Sequence, residues 1–354
     1  MIRTTWSCLV AIVAVLFLAA GTALSAAKKP ATLAELAVYT GPDRQQILEE
    51  GAKKEGKLTF YTSGIITQGV GAVVDSFQKE YPYIKVEVWR AGSDQLVPRI
   101  LEEFKAGKLL ADVVENSQTG HMVLQQYGGI FQPFYSPELA SVAEGAITRA
   151  PGGGAVRVGF RESGHSVGYN TKLLSKEQLP KTFQDFLDPK WRPKVAIAAD
   201  QNGVYWAGTM REAYGEDFVK KLAAQNFAIH PVSARAVLDM LINGEYALSP
   251  TINEAHVQES KKKGAPVDWV PLEPVHVNLG QIALCKPAPH PYSALLFIDH
   301  QLSKETGAML NGKGYLSTRK DVIGTKSYRK NYGPETIEEG KQWNELFKQL
   351  FLKK

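Results

Sequence analysis

Apolar positions along this chain change their period repeatedly, and each change marks an element. Leu58-Thr59-Phe60-Tyr61-Thr62 is a short β-rich run, preceded by a helix over residues 45–55 that Gly56 ends. Residues 70–81 then place Val70, Val73, Val74 and Phe77 at helical spacing until Pro82 stops them, and residues 84–89 alternate as a strand. The cycle repeats at once. Ser93 reads as an N-cap, Leu96, Ile100, Leu101 and Phe104 as a buried helical stripe ending at Gly107, and residues 111–115 as the next strand. Strands alternating with helices in this way predict a parallel sheet covered on both faces.

A second α/β unit begins after Pro180. It holds a strand at 195–198, helices at 207–224 and 234–243, and a strand at 246–249. A C-terminal block follows, with a strand at 282–284 and helices at 293–302, 304–311 and 336–350. The chain enters the middle unit through Gly168-Tyr169-Asn170-Thr171 and leaves it near residues 275–282. Two passages make a hinge instead of a single tether. The expected fold class is therefore α/β, with two lobes of mostly parallel sheet joined by two crossings.

The N-terminus changes the picture of where the protein works. Arg3, an apolar run at 9–20 and the small residues at 23–27 read as a signal peptide over residues 1–27, too short to span a membrane. Cys8 leaves with it, so Cys285 remains alone and no internal disulfide forms. No cysteine stands near Ala26 to carry a lipid, and the expectation is a free periplasmic monomer. The net charge of +5 suits an anionic ligand or a mildly basic surface and is too small to argue for nucleic acid. Lys261-Lys262-Lys263 reads as a solvated helix end.

Five segments together resemble the iron(III)-type branch of the extracellular solute-binding proteins, which have the type II periplasmic binding fold. They are Tyr81-Pro82-Tyr83-Ile84-Lys85-Val86-Glu87-Val88, the run from Ala106 to Val114, Gly168-Tyr169-Asn170-Thr171-Lys172-Leu173-Leu174, the run from Phe183 to Trp191, and Ala288-Pro289-His290-Pro291-Tyr292-Ser293-Ala294. The resemblance implies two lobes, residues 28–160 plus 276–354 and residues 161–275, closing on a small-molecule ligand and docking on an inner-membrane ABC permease. A binding module reporting to a membrane sensor kinase is the alternative role. No cofactor is implied, and the chain is expected not to be an enzyme.

Ligands in open α/β sheets bind beyond the carboxyl ends of strands. Applied here, that rule selects Ser63, Gly64, Ser93, Asn116 and Ser117 in the first lobe. It adds Arg161 and His165 at the hinge, and Asn202, Tyr205, Trp206, Ser233, Arg235, Asn253 and Glu254 in the second. Ser63 and Ser93 also read as plain N-caps, Tyr205 and Trp206 as a wall stacked on the ligand or as helix packing. Arg161 and Arg235 could clamp a carboxylate or phosphate or could form ordinary ion pairs. Iron-binding members of the branch use neighbouring tyrosines, and this chain has no Tyr-Tyr pair. An iron(III) site would have to draw on Tyr61, Tyr169, Tyr205, Glu254 and His256. Gly164-His165-Ser166-Val167-Gly168 matches the nucleophile-elbow pattern, but an extended passage follows where the elbow needs a helix.

Overall fold

The computed structural model describes residues 30–322, 328–334 and 336–352. The expected signal peptide lies outside them. No described helix is long and apolar enough to cross a membrane.

The first unit follows the predicted cycle. Arg44–Glu55 ends at Gly56, whose φ of 67° is the left-handed conformation that glycine adopts without strain. The strand Lys57–Thr62 pairs in parallel with Lys85–Arg90 on one side and Val113–Ser117 on the other. Val70–Glu80 buries Val70, Val73, Val74 and Phe77 against this sheet, as their spacing requires.

Two long strands then join the units. Ala155–Asn170 runs from the first into the second and Val275–Cys285 returns, the two pairing antiparallel from His276↔His165 to Ile282↔Val158. One strand enters while the other leaves, so they join the strands of both units into one mixed sheet. The parallel order predicted from periodicity holds for Lys57–Thr62 with its two neighbours and for the separate pair Ala196–Ala198 and Ala228–His230. In the second unit the incoming strand pairs antiparallel with Leu248–Asn253 and Val267–Val270, while Ala196–Ala198 and Ala228–His230 pair in parallel.

Packing divides the C-terminal block. Pro291–Leu302 and Lys304–Gly312 belong to the first core through Leu295, Phe297 and Leu310. Ile337–Phe347, expected with the first lobe, lies instead on the second unit, where Phe347 and Phe351 join its core. The contact needs Gly208, since a Cβ there would sit 1.9 Å from the Trp343 ring. The helix expected over 207–224 is two, Gln201–Tyr214 and Glu216–Ala223, broken at Gly215 with φ 84°. Residues 164–168 are extended within the incoming strand, and Ser166 is buried, accepting a hydrogen bond from the Leu272 amide (2.8 Å).

Candidate functional site

Where the crossing strands meet, a cavity of about 170 Å³ opens between the two units. Four helices begin at its wall. Ser93 is the first residue of Ser93–Lys105, Ser117 is the N-cap of Gln118–Gln126, Gln201 opens Gln201–Tyr214, and Asn253 is the N-cap of Glu254–Lys262. Each brings the positive end of its dipole to the wall, although caps already take part of the first turns: Ser117 accepts from the Gly120 amide, the Asp200 carboxylate from the Asn202 and Gly203 amides, and Asn253 from the Ala255 amide. Ser63, Gly64, Ile65, Arg161, Ser163, His256, Asn278 and Tyr315 complete the lining. No carboxylate is among these residues.

Beneath the lining, the first unit is tightly wired. The Glu115 carboxylate is fully buried and accepts from Arg161 Nε (3.2 Å) and Nη2, from the Thr62 hydroxyl and from the Gly64 amide (3.2 Å). Gly280 leaves room for the guanidinium, since a Cβ there would lie 2.7 Å from Arg161 Cζ. The guanidinium also lies 5.0 Å from the centre of the Tyr315 ring. Burial opposes its charge and Glu115 more than offsets this, so the pKa of Arg161 is raised. The Asn116 side chain accepts from the Ser93 hydroxyl (2.6 Å) and the Ser117 amide (2.8 Å), fixing both helix starts.

The other wall is looser. Asn253 Nδ2 donates to the Ser163 hydroxyl (2.6 Å), and its Oδ1 accepts from the Ala255 amide. Gln201 Nε2 donates to the Tyr205 hydroxyl (2.7 Å). His256 is held neutral by burial and by the charge of Arg235, which both lower its pKa.

Of the residues singled out from sequence, Ser63, Gly64, Ser93, Ser117, Arg161 and Asn253 line this cavity, with His256 from the iron set. Asn116 stands behind it. The two serines differ from expectation in how they act: Ser63 precedes only a loop and the short turn Ile66–Gln68, and the cap before Ser93 is Gly92. Arg161 pairs with Glu115 through the edge a bidentate anion would use.

The remaining candidates point elsewhere. His165 is buried, its ring tilted against that of His276 with centres 5.5 Å apart between the crossing strands. Trp206 packs into the second core, and Tyr205, one residue earlier, faces an adjoining cavity. Asn202 is tied to Asp200, Ser233 caps Ala234–Asn243, and Arg235 pairs with Asp239 (2.8 Å) and donates to Ser260 (3.0 Å). Glu254 is buried in the first turn of its helix. Tyr61 bonds Glu103 and Arg99 on the far face of the sheet, and Tyr169 lies in the second core, so the five iron candidates do not converge. Among the described residues no cluster of three or more His, Cys, Asp or Glu is arranged to hold a metal.

Ile65, Ser163, Asn278 and Tyr315 were not singled out, and Gln201 was included only as part of the loop Asp200 to Trp206. Ser163 carried a signal, since it is two residues beyond Arg161 on a strand and so shares its face. Asn278, its partner on the returning strand, carried none.

The family described as bacterial extracellular solute-binding protein matches residues 72–333. "Iron uptake protein A1" from Synechocystis is 26% identical over 250 residues, covering 66% of this chain and 68% of that one. Among solved structures, iron-bound HitA from Pseudomonas aeruginosa superposes with a TM-score of 0.68 at 19% identity, covering 83% of this chain and 99% of its own. AfuA from Actinobacillus pleuropneumoniae, with exogenous fructose-6-phosphate bound, gives a TM-score of 0.65 at 21% identity, covering 84% of this chain and 99% of its own. At these identities the structural likeness concerns the type II periplasmic binding fold.

Proposed function

The chain belongs to the bacterial extracellular solute-binding family and is the substrate-binding component of an ABC transporter; from that premise, we propose that its cargo is a small organic or phosphorylated anion. The anion is held where the two lobes meet, and a monomeric periplasmic protein hands it unchanged to an inner-membrane permease. The lobes divide at the crossing strands, with residues 337–352 riding on the second.

The observation that carries this reading is the convergence of four helix N-termini on a cavity whose lining has no carboxylate and whose one guanidinium is already balanced by Glu115 beneath it. Such a lining consists of donors and positive ends and favours an anion. The iron named for several relatives needs hard, charged oxygen donors. Here the lining phenol is Tyr315, whose pKa burial raises, with the nearby Arg161 charge only partly opposing the shift. A single phenol beside the Arg161 guanidinium is a poor set of charged oxygen donors.

Isothermal calorimetry with inorganic phosphate, phosphate monoesters, phosphonates, small carboxylates and iron(III) supplied as a weak chelate tests the assignment. At least one anion binds without metal, and Ser93→Ala with Ser117→Ala weakens it. Tight binding of iron(III) alone, lost in Tyr315→Phe or His256→Ala and indifferent to the serines, would overturn it.

A further inference from the structure

The anion cavity is not the end of the cleft. Gln201 also borders a second cavity of about 480 Å³, walled by Val204 and Tyr205 on one helix and by Ile337, Phe347 and Leu352 of the C-terminal segment. The partition between them is made of side chains: Thr119 and Gln201 both hydrogen-bond the Tyr205 hydroxyl. The two spaces differ in chemistry. Hydroxyls, amides, an imidazole and a guanidinium line the first, whereas aliphatic and aromatic carbon dominates the second. Asn344 and the exposed Lys341 and Lys348 also stand on its wall, with Asp200, whose carboxylate caps the Gln201–Tyr214 helix, beside Gln201.

Size separates them too. The first alone falls below the roughly 300–1,000 Å³ of small-molecule sites, and with the second the space enters that range. An oxyanion head group has only a few heavy atoms and needs no more than the smaller space. The larger one offers apolar surface that a bare anion would leave unused.

We propose that the two cavities form one ligand site, the first taking an oxyanion head group and the second an apolar body. The cargo is then an organic phosphate or phosphonate carrying an aromatic or branched hydrocarbon group, not a bare inorganic anion. Gln201 and Tyr205 sit at the junction and read the link between head and body. This inference rests on the anion reading of the first cavity.

Calorimetry with inorganic phosphate and 1-naphthyl phosphate, on the wild-type chain and on Gly340→Leu, separates the two claims. Gly340 lines the second cavity, and a Cβ there meets only Pro334 at 3.4 Å, an ordinary contact. Leucine also favours a helix more than glycine does, so the variant keeps its fold, which a thermal melt verifies. Naphthyl phosphate should bind the wild type at least about tenfold more tightly than phosphate, from the apolar area it buries. Gly340→Leu should abolish that gain and leave phosphate unchanged. Equal affinities in the wild type, or a naphthyl advantage that survives in Gly340→Leu, would overturn the two-cavity site while the anion reading stands. Binding of neither probe would overturn the two-cavity site, and the anion reading would fall with it if the phosphonates and carboxylates also failed to bind.

Discussion

The two walls of the cleft are built differently. On the first, Glu115 and Asn116 sit on one buried strand and between them hold Arg161, Thr62, Gly64, Ser93 and Ser117. On the second, Gln201 has the Tyr205 hydroxyl and Asn253 has Ser163 and, at 3.4 Å, His165, and no buried charge among the described residues organises the wall. On the proposed capture between two lobes, the first wall is set before ligand arrives and the second is the one that closure would complete. Preorganisation on one side lowers the ordering cost of capture, and looseness on the other permits release.

Breaking the first wall should have the largest effect. Arg161→Ala leaves the fully buried Glu115 carboxylate without its cation and should cost about 3–5 kcal/mol of stability, measured by denaturant unfolding. The double variant Glu115→Gln, Arg161→Met should recover most of this, because neither buried charge remains. If Arg161→Ala unfolds at the wild-type midpoint, the wall is not organised around this pair.

Acid probes the same contrast. His121 lies behind the first wall, fully buried, and burial pushes its pKa down to about 3, with Arg157 adding to the shift. Below its ordinary value of 6.5 the unfolded chain binds a proton there and the folded chain does not until about pH 3. Stability should thus fall by roughly 1.4 kcal/mol per pH unit between those limits for this residue alone. His121→Leu should remove that share of the slope, and an identical pH profile in the variant would refute the assignment.

The second wall should show the smallest effect on stability. Asn253→Ala loses a helix cap and should cost about 1 kcal/mol in thermal unfolding. Its effect on anion affinity should exceed its effect on the melting temperature of the free protein, and the reverse ordering would mean that both walls are preset.

Much of this was legible in sequence. Period changes gave the first unit nearly element by element, because Val70, Val73, Val74 and Phe77 are spaced for one buried face. The two passages were read at 168–171 and 275–282, inside the crossing strands, but the length of the incoming strand was not, since Arg161, Glu162, Ser163 and His165 replace apolar alternation with polar residues whose partners lie in distant segments. At the site, Ser93 was readable as a polar residue at a helix start, and Ser117 and Asn253 only as polar residues beyond the ends of strands. Tyr205 and Trp206 were not separable: neighbours on a helix lie about 100° apart, and only packing decides which faces the cleft. Arg161 was visible as a charge, but its partner Glu115 lies 46 positions away on another strand.

Native mass spectrometry of the protein purified from its periplasm without refolding tests the central claim most directly. The anion account predicts a retained organic or phosphorylated adduct, free of metal and released on mild activation. Retention of one iron ion per chain without such an adduct would contradict it.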